Sequence, residues 1–207
     1  CDFQEMYLIN THNGFRDDDN NQIPPINVDN YPYIKEHLNQ YWDKISARQD
    51  KGITPYNLRH CAYIDKFNNE KIIYPETTQG AYFYFDKSGF FIDKTAFILT
   101  GKNLKYLSAV LSSKTALYYY KNFCSGTILG KKGFQYNKHA IKELVIPLIS
   151  NNSQNLVGKV EILVDKRTKN DELEKSNVEI EQEINQLVYE LYDLTEEEIE
   201  IIENSTQ

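Results

Sequence analysis

The chain has 207 residues, of which 41% are hydrophobic and 26% charged, and its formal net charge is −7. This composition excludes a disordered chain, a collagen-like chain and a small disulfide scaffold. No apolar run approaches the roughly 20 residues needed to cross a bilayer and no signal segment opens the chain, so we expect no membrane partner.

The N-terminal half predicts a loop, one helix and several short strands. Residues 10–30 are polar and contain two adjacent prolines, which is typical of a loop or linker. Pro32 is a good first-turn residue and predicts a helix that ends near Gln49. Aromatic and β-branched segments follow, separated by polar turns, and residues 86–89 predict a hairpin turn. The five predicted strands lie at 60–65, 71–75, 81–86, 90–93 and 96–100.

The next stretch returns to helical spacing. Leucines three and four residues apart predict a helix that begins near residue 102, and Ser112 or Ser113 is expected to cap a second helix that reaches Phe123. Residues 124–140 contain three glycines and predict a loop. A last strand is predicted at 143–149.

The tail predicts helices with a heptad pattern. A helical piece around residues 156–163 is expected to break near 166–170, and Thr195 with Glu198 forms a capping-box motif for a last short helix. We call the heptad positions the seam, and barely three heptads leave two alternatives, packing on the body of the chain or weak self-association. The seam consists of Leu173, Asn177, Ile180, Ile184, Leu187 and Leu191.

No catalytic motif is present in the sequence. G-x-S-x-G, H-E-x-x-H and the acid-x-lysine pattern of Mg²⁺ nucleases are all missing, and Pro24-Pro25 lacks the flanking Asn and Tyr of an Asn-Pro-Pro-Tyr loop. The segment 126–132 resembles a phosphate loop only superficially, because three residues separate its glycines and Lys132 occupies the hydroxyl position. Three cysteines without a C-x-x-C pair predict a reducing, cytoplasmic location and no zinc site. We therefore assign no catalytic or metal residue and no cofactor to this chain.

Charge is distributed unevenly along the sequence. Residues 101–142 carry eight lysines and no acidic residue, whereas residues 165–207 carry 14 acidic and four basic residues. Because a local field governs contact with a polyanion, the basic block predicts DNA binding. A solvated lysine face, or a flexible loop with nothing bound, is the alternative.

The candidate DNA contacts surround the glycines of the basic block. Lysines would neutralise phosphates, hydroxyl and amide groups would fix the register, and Gln or Asn side chains can pair with adenine. The candidates are Lys121, Ser125, Thr127, Lys131, Lys132, Gln135, Tyr136, Asn137 and Lys138. Of these, Gln135, Tyr136 and Asn137 are the candidates for base edges.

Several motifs, in one order, resemble a known family. The helix at 31–52 precedes PYNLRHCAY (55–63), KIIYPE (71–76), AYFYFDKSGFFID (81–93), KYLSAVLSSKTALYYY (105–120) and GKKGFQYNKHAIKELVIPL (130–148). This order resembles the TaqI-like C-terminal specificity domain, the target recognition domain of type IIG restriction–modification enzymes and related adenine-specific DNA methyltransferases. The end of the chain, 184–203, is similar to the usual end of such enzymes, so the resemblance covers roughly residues 28–203.

The resemblance implies an α+β fold similar to half of a type I specificity subunit: a small, curved, mostly antiparallel sheet flanked by helices, with a C-terminal coiled-coil-like segment. It implies a linker at 1–30 from an absent methyltransferase region, a target recognition domain at 31–150 and a helical segment at 151–207. The implied partners are double-stranded DNA and an upstream methyltransferase domain of the same polypeptide. S-adenosylmethionine and Mg²⁺ are implied only for the absent domains.

Within this interpretation Arg59 is a further candidate contact, together with Tyr56 and Asn57, although Arg59 could equally brace the fold. Two other functions remain open. A protein-interaction module would use the seam, with Asn177 in it, as its working surface. An enzyme of unrecognised type is the third alternative, because the absence of a motif is weak evidence.

Overall fold

The computed structural model describes residues 6–124, 126–130, 133–173 and 175–206. The fold is α+β, as predicted, with eight α-helices and three small antiparallel sheets within these ranges. Its contacts divide the chain into two units, Cys1–Asn69 and Glu70–Gln207. Every helix in the described ranges is too short or too polar to cross a membrane.

The first unit contains a small hairpin and two short helices. The predicted loop at 10–30 includes paired strands β1 (Phe15–Arg16) and β2 (Gln22–Ile23). Helix α1 (Pro32–Asn39) begins at the predicted proline, but the predicted single helix to Gln49 is wrong, because it is interrupted before α2 (Trp42–Ala47). The backbone N–H groups of Gln40 and Tyr41 donate to carbonyls three residues back, which tightens the turn and ends α1.

The second unit is built around the strand β3 (Lys71–Pro75), which lies between β5 (Tyr84–Asp86) and β6 (Ala96–Leu99). These three strands match predicted segments, but 60–65 and 90–93 form no strand. Residues Ile64–Asn68 form a 3-10 helix instead. The hairpin predicted at 86–89 is also absent, because residues 90–93 form no strand to pair with the free edge of β5.

A buried ion pair fixes the start of this sheet. Lys71 opposes Asp86 in the β3–β5 register, and the two charged groups pair with no exposed side-chain surface. The carboxylate of Asp86 also accepts hydrogen bonds from the backbone N–H groups of Ser88 (2.8 Å) and Phe90 (3.0 Å). One side chain therefore closes the turn after β5 and directs the chain away from a second strand.

A second three-stranded sheet, which the sequence did not predict, has the strand order β4 (Thr77–Thr78), β8 (Gly133–Gln135) and β7 (Thr127–Leu129). Strands β7 and β8 lie in the region predicted as a loop, and β4 joins from far away in the chain. Strands of two or three residues give little periodicity, so the pairing becomes visible only in the fold.

Helices surround these sheets. Helix α3 (Leu104–Ser112) is followed by α4 (Lys114–Phe123), and Ser113 caps α4 by accepting from the Ala116 N–H at 3.2 Å, as predicted. A four-residue helix, α5 (Lys138–Ile141), follows β8.

The strand predicted at 143–149 is absent. Its carbonyl groups find side-chain partners instead: the Tyr192 hydroxyl donates to Val145 O at 2.6 Å, and the Tyr106 hydroxyl donates to Pro147 O at 2.8 Å. Pro147 also lacks the N–H that a strand ladder requires. The segment is extended and held by tyrosines rather than by a neighbouring strand.

The tail forms α6 (Gln154–Glu172), α7 (Val178–Leu191) and α8 (Glu196–Ser205). Helix α6 continues through 166–170, so the predicted break there is wrong, whereas the capping box of Thr195 and Glu198 is confirmed. In the seam, Ile184 and Leu187 are buried in the core of the second unit. Because α7 packs against α3, α4 and α6, the part of the seam within α7 packs on the body of its own chain, whereas Leu173 and Asn177 precede α7 and Leu173 is 53% exposed.

Candidate nucleic-acid interface

The β7–β8 hairpin presents one exposed strand, β7, within the basic block. Its register pairs Thr127 with Gln135, Ile128 with Phe134 and Leu129 with Gly133. All three residues of β7 are exposed, and Ile128 retains 71% of its accessible surface. Strand β7 therefore lies at an open edge of the sheet, where its side chains can meet a partner.

The opposite side of the hairpin is held by aromatic packing. Phe134 and Tyr136 are 3% and 1% exposed, and the Tyr136 ring lies 4.5 Å from that of Tyr120 and 4.9 Å from that of Phe83. The Tyr136 N–H donates to Glu76 O at 2.9 Å. Aromatic side chains therefore pack against the buried face of the hairpin and hold it in place.

Helix α4 is also tied to the hairpin by one hydrogen bond. The buried hydroxyl of Tyr120 donates to the carbonyl oxygen of Gln135. Burial raises the pKa of Tyr120 to about 12, so the hydroxyl keeps its proton at neutral pH and remains a donor. Gly126 lies against the same ring, since an added Cβ would be 2.5 Å from the Tyr120 oxygen.

Six lysines of the basic block are described. Lys102 and Lys142 are exposed and take part in no ion pair among the described residues, and the other four fall into two groups. Lys105 pairs with Asp165 at 2.8 Å, and Lys114 pairs with Glu203. By contrast, Lys121 and Lys138 take part in no ion pair among the described residues. Both are exposed, at the end of α4 and the start of α5, and the Lys121 ammonium lies 5.2 Å from the centroid of the Phe134 ring. These two lysines flank the hairpin sequence with uncompensated positive charge.

The three predicted base-edge residues have different surroundings. Gln135 is half-buried and its neighbours Phe134 and Tyr136 point into the core, so by strand alternation its side chain lies on the outer face. Tyr136 is buried and is assigned to packing, because its side chain does not reach the surface. Asn137 caps α5: its side-chain oxygen accepts from the N–H groups of His139 (3.0 Å) and Ala140 (2.9 Å).

The remaining predicted contacts lie elsewhere. Ser125, Lys131 and Lys132 lie outside the described residues. Arg59 is exposed in the first unit. Tyr56 donates from its hydroxyl to Asn39 at 2.7 Å, and Asn57 is 2% exposed with its amide donating to Ile26 O at 2.9 Å. Asn57 therefore braces the first unit, and the DNA contacts of the exposed residues stay predictions.

Sequence reasoning missed Thr77. The β4–β8 register places it directly opposite Gln135, on the same face and exposed to solvent. Nothing near Thr77 in the sequence points to this position, because the two paired residues are 58 positions apart. No group of three or more histidine, cysteine or acidic side chains in the described part of the chain is arranged to hold a metal ion.

Comparison with known families gives one match, to the TaqI-like C-terminal specificity domain, over residues 25–144. The match covers more than half of the chain and includes both sheets of the second unit and the β7–β8 hairpin. The chain belongs to the TaqI-like C-terminal specificity domain family. Membership associates this specificity domain with target recognition in restriction–modification. The search of curated proteins found no match.

Proposed function

We propose that this specificity domain holds a specific DNA duplex so that an upstream methyltransferase domain of the same polypeptide can flip out and methylate an adenine, with cleavage as a further activity of the parent protein. In this proposal, S-adenosylmethionine and Mg²⁺ bind to domains outside this chain, the working location is the cytoplasm, and the chain itself performs no chemistry.

One observation carries the proposal: an exposed hairpin within the basic block, bordered by Lys121 and Lys138, which no described carboxylate neutralises. Lysines of this kind bind phosphates and release counterions, whereas Lys105 and Lys114 are already paired. Family membership supports the same assignment, because the matched region, residues 25–144, includes the hairpin and both lysines.

A salt series tests the proposal. Duplex affinity would be measured from low to moderate salt for three proteins: the unmodified 207-residue chain, a Lys121→Ala/Lys138→Ala variant, and a control variant of equal charge, Lys105→Ala/Lys114→Ala. Each phosphate contact contributes about −0.9 to the slope of log K against log salt. The slope of the first variant should therefore be less steep by roughly 1.8, whereas the slope of the control should hardly change. Equal losses in both variants, or binding insensitive to salt, would contradict the proposal.

The interaction-module alternative has less support, because only part of the seam is exposed. Ile184 and Leu187, the middle of the seam, are buried by the second unit's own helices. A chain that binds no duplex at low salt but forms concentration-dependent dimers by sedimentation would favour that alternative.

A further inference from the structure

The two faces of the β4–β8–β7 sheet differ in chemistry. On the inner face, Thr78 and Phe134 occupy paired positions and are buried. On the outer face, the register aligns Thr77, Gln135 and Thr127 across all three strands. We call these three residues the outer row. Thr77 and Thr127 are exposed and Gln135 is half-buried.

We infer that the outer row reads base edges of adenine–thymine pairs in the DNA major groove, with Gln135 at its centre and Thr77 as a third reading residue. The inference rests on the proposed function and assigns the part of the domain that distinguishes one sequence from another. Because register and burial place the row, it does not depend on Lys131 or Lys132, which lie outside the described residues.

The chemistry of the outer row matches this pair of bases. A glutamine amide can donate to N7 or accept from the N6 amino group of adenine, and it can do both at once. The methyl groups of the flanking threonines can contact the C5 methyl group of thymine, and their hydroxyls can bond to either base. Strands lie about 4.8 Å apart, so three strands place the row over roughly 10 Å. Base pairs follow one another every ~3.4 Å, so this length corresponds to about three steps.

On the outer face, the glycine in β8 allows DNA to approach the backbone of the hairpin closely. On the outer face, the next rung pairs Leu129, which is 39% exposed, with Gly133, so only the β8 side of this rung has no side chain to hold a duplex away. An added Cβ at Gly133 would lie 2.8 Å from the Leu129 carbonyl oxygen, so the tight pairing itself requires glycine there.

Selection experiments test the outer row. The full 207-residue chain would be used at low salt to select duplexes from a random library, followed by Gln135→Ala, Thr77→Ala and Thr127→Ala variants. Ile128→Thr is the control, because Ile128 is exposed on the same hairpin but pairs with Phe134 on the other face. Gln135→Ala should relax an adenine preference at one position by about 10-fold or more, and Thr77→Ala should relax the preference at a neighbouring pair by a smaller factor. The control should keep the parent preference.

A modified base gives an independent measurement. Replacing the selected adenine by 7-deazaadenine removes the N7 acceptor, so the parent chain should lose about 10-fold in affinity and the Gln135→Ala variant should lose almost nothing more. Matching thermal unfolding of the variants would establish that they remain folded.

Two kinds of failure are distinct. If salt-sensitive duplex binding persists but Gln135→Ala keeps the parent preference, or 7-deazaadenine has no effect on the parent chain, the outer row is wrong and the proposed function stands. If the chain shows no salt-sensitive duplex binding, both the proposed function and the outer row are overturned.

Discussion

The helical side and the hairpin side of the second unit use lysine in opposite ways. On the helical side, Lys105 and Lys114 pair with Asp165 and Glu203, which the acidic tail supplies. On the hairpin side, Lys121 and Lys138 have no carboxylate partner among the described residues. A block that is uniformly basic in sequence is therefore divided by the fold into a neutralised part and an open part, and only the open part can attract a polyanion at full strength.

The same unit contains a third environment for lysine. Lys71 is completely buried and pairs with an equally buried Asp86. Burial of one charge without the other is costly, so this pair specifies the β3–β5 register rather than adding much net stability.

The largest expected effect comes from breaking the buried pair. Lys71→Met should destabilise the fold by about 3–5 kcal/mol, because it leaves the Asp86 carboxylate buried without its cation. Urea unfolding followed by circular dichroism would measure the change. Lys105→Met is the matched control, and its half-exposed ion pair with Asp165 predicts a loss of about 1 kcal/mol or less. Similar losses in the two variants would remove the distinction between the two environments.

A smaller effect is expected where the hairpin meets α4. Gly126→Ala should cost about 1–3 kcal/mol, because the new Cβ overlaps the buried Tyr120 ring. The same unfolding measurement would check it. Gly158→Ala is the control: Gly158 lies inside α6 with no atom near the added Cβ, so it should stabilise by about 0.5–1 kcal/mol. Changes of opposite sign in the free energy of unfolding would show that the loss in Gly126→Ala comes from its contact with Tyr120, because replacing a glycine elsewhere does not destabilise the fold.

The smallest expected effect on stability comes from the ion pair between Lys114 and Glu203. Hydrogen bonds from Lys114 and then Tyr189 lower the pKa of Glu203 below its ordinary 4.5. Its charged form is therefore favoured by folding, so the contribution is full above about pH 4.5 and disappears as the pH falls through the lowered value. Glu203→Gln should lose about 0.5 kcal/mol at pH 7, because the pair is a third exposed.

Thermal unfolding of the chain and of Glu203→Gln would be compared between pH 7 and pH 3. The difference between their Tm values should shrink on acidification. A difference that grows in acid would mean that the ion pair with Lys114 is not its source.

The sequence predicted the elements that carry their own local signals. Pro32 marks the start of α1, Ser113 caps α4, and Thr195 with Glu198 caps α8, each through contacts within a few residues. The interruption after Asn39 escaped prediction because apolar spacing continues through it. The continuous α6 escaped because polar residues at 166–170 conceal buried Arg167 and Thr168.

The sequence identified the composition of the candidate site but not its arrangement. The acid-free block identified the region, and Gln135 lies on an outward-facing position of a strand there. Strand alternation could have separated Tyr136 from Gln135, but only if β8 had been recognised as a strand. Thr77 required the pairing of β4 with β8, which no local pattern contains. The neutralisation of Lys105 and Lys114 likewise depends on acids brought from the tail.

The alternation along β8 has a consequence for how such a domain can change. Phe134 and Tyr136 hold the strand in place, whereas Gln135 between them contributes its backbone carbonyl to Tyr120 and leaves its side chain unused by the core. Replacement of the Gln135 side chain therefore changes the chemistry of the outer face without disturbing the packing of Phe134 and Tyr136. Mutational tolerance should therefore switch sharply from one residue of β8 to the next, and under the inferred role of the outer row a single substitution at position 135 would change specificity on an unchanged scaffold.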